Sequence, residues 1–137
     1  MTLRTQFEEA HAAVLRELAE LEKVTAAPAP DRALLAATRL RLSRASTQRA
    51  QLLDRKILPW LLEKVPPSEA GPLVELRSAL AAARARSSEH VIRWTLDQAA
   101  KEWSGYCRAS AEMRATMRAQ IERERTVVGP LLRRIPE

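Results

Sequence analysis

Apolar residues recur three and four positions apart through four stretches of the chain, the spacing of helices with one oily face. The first stretch, from about Thr2 to Val24, sets Leu3, Phe7, His11, Val14, Leu18 and Leu21 on one stripe. Thr25–Pro30 carries two prolines and reads as a loop. Asp31 is a suitable N-cap for a second helix reaching about Lys64. Its stripe is Leu35, Thr38, Leu42, Ala45, Arg49 and Leu52, with Leu53 beside it, and Pro59 is expected to kink or tighten its last turns. Val65–Pro72 holds three prolines and one glycine and is the second loop. A third helix from about Leu73 to Trp103 aligns Leu73, Leu76, Leu80, Ala83, Ser87, His90 and Trp94. Ser104–Gly105 is its stop signal, with Gly105 suited to a left-handed C-cap. The fourth helix, about Tyr106 to Arg134, aligns Met113, Met117, Gln120, Glu124, Val127 and Leu131. The pattern predicts an all-α, up-down-up-down four-helix bundle formed as one domain over residues 1–137.

Polar residues interrupt these stripes at particular places. Gln120 and Glu124 lie one turn apart on the face that should be apolar. A buried carboxylate is costly unless a cation meets it. Three candidates sit on the other stripes: His11, Arg49 and His90. A weak internal echo relates the second and fourth helices through Pro59 and Pro130, matching Arg49 to Gln120 and Leu53 to Glu124. Helices two and four are parallel in such a bundle, so equivalent positions can face one another at one level.

Composition narrows the possibilities. Three glycines and few aromatics argue against β architecture. No apolar run approaches the length of a membrane span, and the amphipathic N-terminus does not read as a signal peptide. Cys107 stands alone, which points to a reducing, cytoplasmic setting. The net charge of +6, mostly arginine, raises nucleic-acid binding. Acidic residues are interleaved, however, and the mixed pattern reads as a solvated helix surface. A nucleic-acid face would require Arg32, Arg39, Arg41 and Arg44 to gather with arginines of the third or fourth helix. Trp60, Trp94 and Trp103 do not interleave with basic clusters, and Trp60 is expected to cover the bundle end or meet a partner. The expected partner is another protein or a second copy of this chain. Gly71 and Gly105 are isolated, no Ser-His-Asp order is supported, and no catalytic set emerges. A helix start near Cys107 is a reason for a lowered thiol pKa, although a packed thiol is the simpler reading.

The order of these residues resembles the bacterial hemerythrin-like, HHE cation-binding domains. The resemblance rests on His11 in the first helix, Glu89–His90 in the third, and Glu124 six residues before Pro130-Leu131-Leu132 in the last. It covers nearly the whole chain. It implies a bundle whose family members hold two irons with histidines from all four helices and bridging carboxylates from the second and fourth. Those two helices each carry a His-x-x-x-Glu spacing in the family. Mapped here, the fourth-helix pair is Gln120 and Glu124, and the second-helix pair is Arg49 and Leu53. With only His11, His90 and Glu124 retained, a di-iron centre and oxygen carriage are not expected.

Three chemistries follow for the polar set. In the first, no metal is bound: Arg49 pairs bidentately with Glu124, and Gln120, His11 and His90 complete a core network in a binding, sensing or regulatory domain. In the second, His11, His90 and Glu124 hold a single iron or zinc ion, with Gln120 as a weak fourth ligand and Arg49 opposing it. In the third, small residues such as Ala45, Ala83 and Ser87, beside Trp94, Met113 and Met117, leave room for heme or another flat ligand with His11 or His90 as an axial group. Against these stand simpler roles: methionines on a seam fill gaps, and a buried histidine is usually just hydrogen-bonded.

Overall fold

Three helices begin where a side-chain oxygen accepts an otherwise orphaned backbone N–H. Thr2 accepts from Thr5 at the start of α1 (Leu3–Thr25). Asp31 accepts from Leu34 at the start of α2 (Arg32–Leu52), and Thr95 accepts from Gln98 ahead of the short α5 (Leu96–Lys101). The computed structural model describes residues 1–137 and is all-α. Its remaining elements are a π-helical turn (Leu53–Ile57), α3 (Leu58–Lys64), a 3-10 turn (Pro67–Glu69), α4 (Ala70–Arg93) and α6 (Trp103–Arg134). No helix is long and apolar enough to cross a membrane.

Ion pairs and hydrogen bonds fix the directions of the long helices. α1 and α6 run antiparallel, since Glu22 meets Arg118 and His11 meets Glu124. α1 and α2 are antiparallel, with Glu17 pairing with Arg41. α4 runs against the second helix, with Arg77 on Asp54 of the π-turn at one end and Arg39 of α2 on the Trp94 carbonyl at the other, and against α6 through Glu69–Arg134 and Glu75–Arg123.

The second helix is interrupted rather than simply kinked. Leu58 donates its N–H to the Leu53 carbonyl five residues back, one residue before Pro59. A π-turn would next pair the Asp54 carbonyl with residue 59, which as proline has no N–H. Arg77 fills this place, donating from Nη2 to the Asp54 carbonyl at 3.0 Å and from Nε to its carboxylate at 2.8 Å. The extra residue in the turn lets Leu53, Ile57, Leu58 and Leu61 all point inward and become fully buried. Full burial of such a side chain is worth about 1.5–3 kcal/mol.

The third helix also differs from expectation. α4 ends at Arg93, not Trp103, and Thr95 restarts the chain as α5. Arg39 donates to the Trp94 carbonyl freed at the break (2.7 Å). Gly105 is not a left-handed cap: no glycine has positive φ, and Gly105 lies inside α6. Its role is close approach, because a Cβ there would stand 3.3 Å from the Trp94 ring. The buried face of α6 is turned by about one residue from the expected stripe, to Tyr106, Ser110, Arg114, Ile121, Glu124, Val128 and Leu132. Gln120, Met113 and Met117 lie at its margin, half-buried.

The apolar core has two parts. One gathers Phe7, Leu53, Ile57, Leu76, Leu80 and Val128. The other gathers Val14, Leu18, Leu42, Trp94, Tyr106 and Ile121 at the opposite end. Trp60 packs at the edge of the first. On α1, α2 and α6 the residues between the two parts are His11, Arg49 and Glu124.

Candidate functional site: a charged layer across the core

Glu124 and His11 are completely buried, and Arg49 is 4% exposed. The register of α1 drops His11 between Phe7 and Val14, and α6 drops Glu124 between Ile121 and Val128, so both must face inward. The Glu124 carboxylate can only accept, so His11 Nε2–H donates to Oε1 at 2.7 Å. Gln120, one turn away on α6, donates from Nε2 to Oε2 at 2.9 Å. Arg49 brings Nε to 3.3 Å from Oε1. This is an ion pair without hydrogen-bond alignment, since Arg49 Nε and Nη1 have no hydrogen-bond partner. The expected bidentate fork is therefore replaced by a single side-on contact. Oε1 is shared between an imidazole and a guanidinium, while Oε2 is held by an amide.

His90 is not part of this layer. It is half-buried on α4, with its ring centroid 6.1 Å from that of Tyr106. Burial, aided by the charge of Arg39, pushes its pKa below the ordinary histidine value. Of the expected network, the structure brings together His11, Arg49, Gln120 and Glu124 and leaves His90 out. No three His, Cys, Asp or Glu side chains converge in a way that could hold a metal ion, so the set His11, His90, Glu124 is not assembled. Periodicity alone placed His90 on the seam. α4 carries no large apolar residue from Ala81 to His90 to hold that part of the helix against its neighbours, so most of it is exposed, and spacing alone does not weigh that.

The gap beside this segment is a cleft of about 700 Å³ between α2, α4 and α6. Leu42, Leu80, Met113 and Met117 line it, together with Arg39, Arg49, His90 and Gln120. Tyr106 closes one end; it is fully buried, stacked on Trp103, edge-on to Trp94, and faced by Arg39 at 5.7 Å. Burial raises its phenol pKa. A smaller pocket of about 190 Å³ is bordered by His11 and Leu132 with Arg4, Arg125 and Arg133.

One buried cation was not foreseen. Arg114, 6% exposed, donates to Ser110 at 2.6 Å and Thr25 at 3.1 Å, with no carboxylate partner. The i, i+4 pair Ser110–Arg114 would have marked it had the face of α6 been read one residue round. Nearby, Cys107 donates to the Thr25 carbonyl at 3.4 Å, and burial raises its pKa, opposite to the helix-start expectation. The second-helix arginines do not form a common basic face: Arg32 pairs with Asp97, Arg41 with Glu17, and Arg39 turns inward.

Compared with known protein families, curated proteins and solved structures, the chain matches none.

Proposed function

We propose that this chain is a hemerythrin-like four-helix bundle acting as a non-catalytic binding or regulatory domain, with a charged core layer where members of that family hold metal. The observation that carries this reading is the environment of Glu124. Its Oε1 already receives His11 at 2.7 Å and lies 3.3 Å from Arg49 Nε. A guanidinium neither ligates nor loses its proton, so it fills the cationic role beside the carboxylate and repels a second cation. A mononuclear iron or zinc site would need His11, His90 and Glu124 on one ion, and His90 sits beside Tyr106 instead.

The test is metal analysis and a visible spectrum of protein made in iron- and zinc-rich medium. The expected result is a colourless protein with far less than one ion per chain and a melting temperature indifferent to chelators. One iron or zinc per chain, lost in both His90→Ala and Glu124→Gln, would overturn the reading in favour of a metal site. A heme absorption band lost in His90→Ala would overturn it in favour of heme.

A further inference from the structure

We infer that the cleft between α2, α4 and α6 binds an amphipathic organic acid, with the acid group at Arg39 and His90 and the apolar body between Leu42, Leu80, Met113 and Met117. This rests on reading the chain as a binding domain and names the ligand class.

Four buried nitrogens without hydrogen-bond partners belong to residues lining this one cleft: Arg39 Nη1, Arg49 Nε and Nη1, and His90 Nε2. Native proteins leave few buried groups of this kind unpaired. Their coincidence favours an occupant that carries acceptors over a purely hydrocarbon one. The two arginines differ in charge balance. Arg49 has Glu124 beside it, whereas Arg39 bonds only the Trp94 carbonyl and faces the Tyr106 ring, so no carboxylate offsets its charge. His90, its pKa depressed by burial and by Arg39, is neutral near neutral pH and can donate or accept beside that guanidinium. The rim repeats the sign: Arg84 and Arg86 also line the cleft, against the single carboxylate of Glu112.

The rest of the cleft suits the other half of such a ligand. Its volume of about 700 Å³ falls within the roughly 300–1,000 Å³ of small-molecule sites. Ala83 and Ser87 on α4 face Ala50 and Ser46 on α2 and Ala109 on α6, so its width comes from short side chains. Two methionines on the α6 wall adapt readily to an acyl or aryl body.

Titration calorimetry with dodecanoate and dodecanol, below their aggregation concentrations, tests this. Dodecanoate should bind one to one and at least tenfold more tightly than dodecanol. Arg39→Leu should weaken dodecanoate at least tenfold and leave dodecanol unchanged. Ala83→Trp, which fills the cleft at a half-buried helix position, should abolish both, with a circular dichroism spectrum like wild type. Equal affinity for acid and alcohol, no binding of dodecanoate, or binding that survives Ala83→Trp would each overturn the proposal. So would a concentration-dependent dimer dispersed by Ile92→Lys, which would make the occupant a second copy. Metal analysis on the same samples separates the two readings: bound metal with dodecanoate binding intact overturns only the metal-free core, and a metal-free protein without binding overturns only the ligand.

Discussion

At the scale of single residues the decisive group is Glu124. Its burial is tolerable because three side chains from three helices converge on two oxygens. Removing it strands Arg49 and His11 in a dry setting, and breaking a buried pair from one side costs about 3–5 kcal/mol. Glu124→Ala should lose stability on that scale in urea unfolding. Replacing both charges together, Arg49→Met with Glu124→Met, should cost clearly less than the sum of the single changes. Strict additivity would mean that the 3.3 Å contact carries no coupling. This pairing was partly legible in the sequence: an acid on an apolar stripe demands a cation, and Arg49 stood on a parallel helix, matched to Gln120 one turn from Glu124. The place of His90 was not legible. Helical spacing says which side of a helix a residue occupies, and cannot say whether neighbouring helices close on that side. Arg114 escaped for a related reason: an arginine satisfied by hydroxyls leaves no charge partner to search for.

At the scale of elements, the existence of the long helices was readable from periodicity, and their ends less so. The interruption at Trp94–Thr95 had a local signal, Thr95 with Gln98 three residues on, the spacing of a capping box. The stop signal at Ser104–Gly105 outweighed it. The π-turn has no such short signature. It depends on Pro59 from within its own helix and on Arg77 from another. The Asp54–Arg77 link has a pH consequence. The Arg77 hydrogen bond holds the Asp54 carboxyl below its ordinary value of 3.8. A carboxylate with a depressed folded pKa stabilises above its unfolded pKa, and that stabilisation is lost as pH falls through the folded value. The melting-temperature gap between wild type and Asp54→Asn should therefore be steady near neutral pH and close below pH 3.8. A gap that persists unchanged into strong acid would show that the link acts through shape alone.

At the scale of the whole molecule, two apolar cores flank one charged layer, and the helices that cross it do so unequally. α1, α2 and α6 are tied at the middle by Glu124, while α4 passes the same level beside the cleft. The sequence announced the all-α class and the polar level, but not the cleft, because an opening is a property of what several helices jointly leave unfilled. Filling it should stabilise the chain: an occupant that binds only the folded form raises the melting temperature as its concentration increases, and dodecanoate should do so in the wild type but not in Ala83→Trp. The division of the core also bears on how the protein comes apart. Two oily clusters joined through a layer of charge need not open together, since each keeps most of its contacts when the other is lost. Native-state hydrogen exchange should then resolve two cooperative units along one continuous helix. Amides of α6 near Ile121 and near Val128 would report different opening free energies, although fewer than two turns separate them.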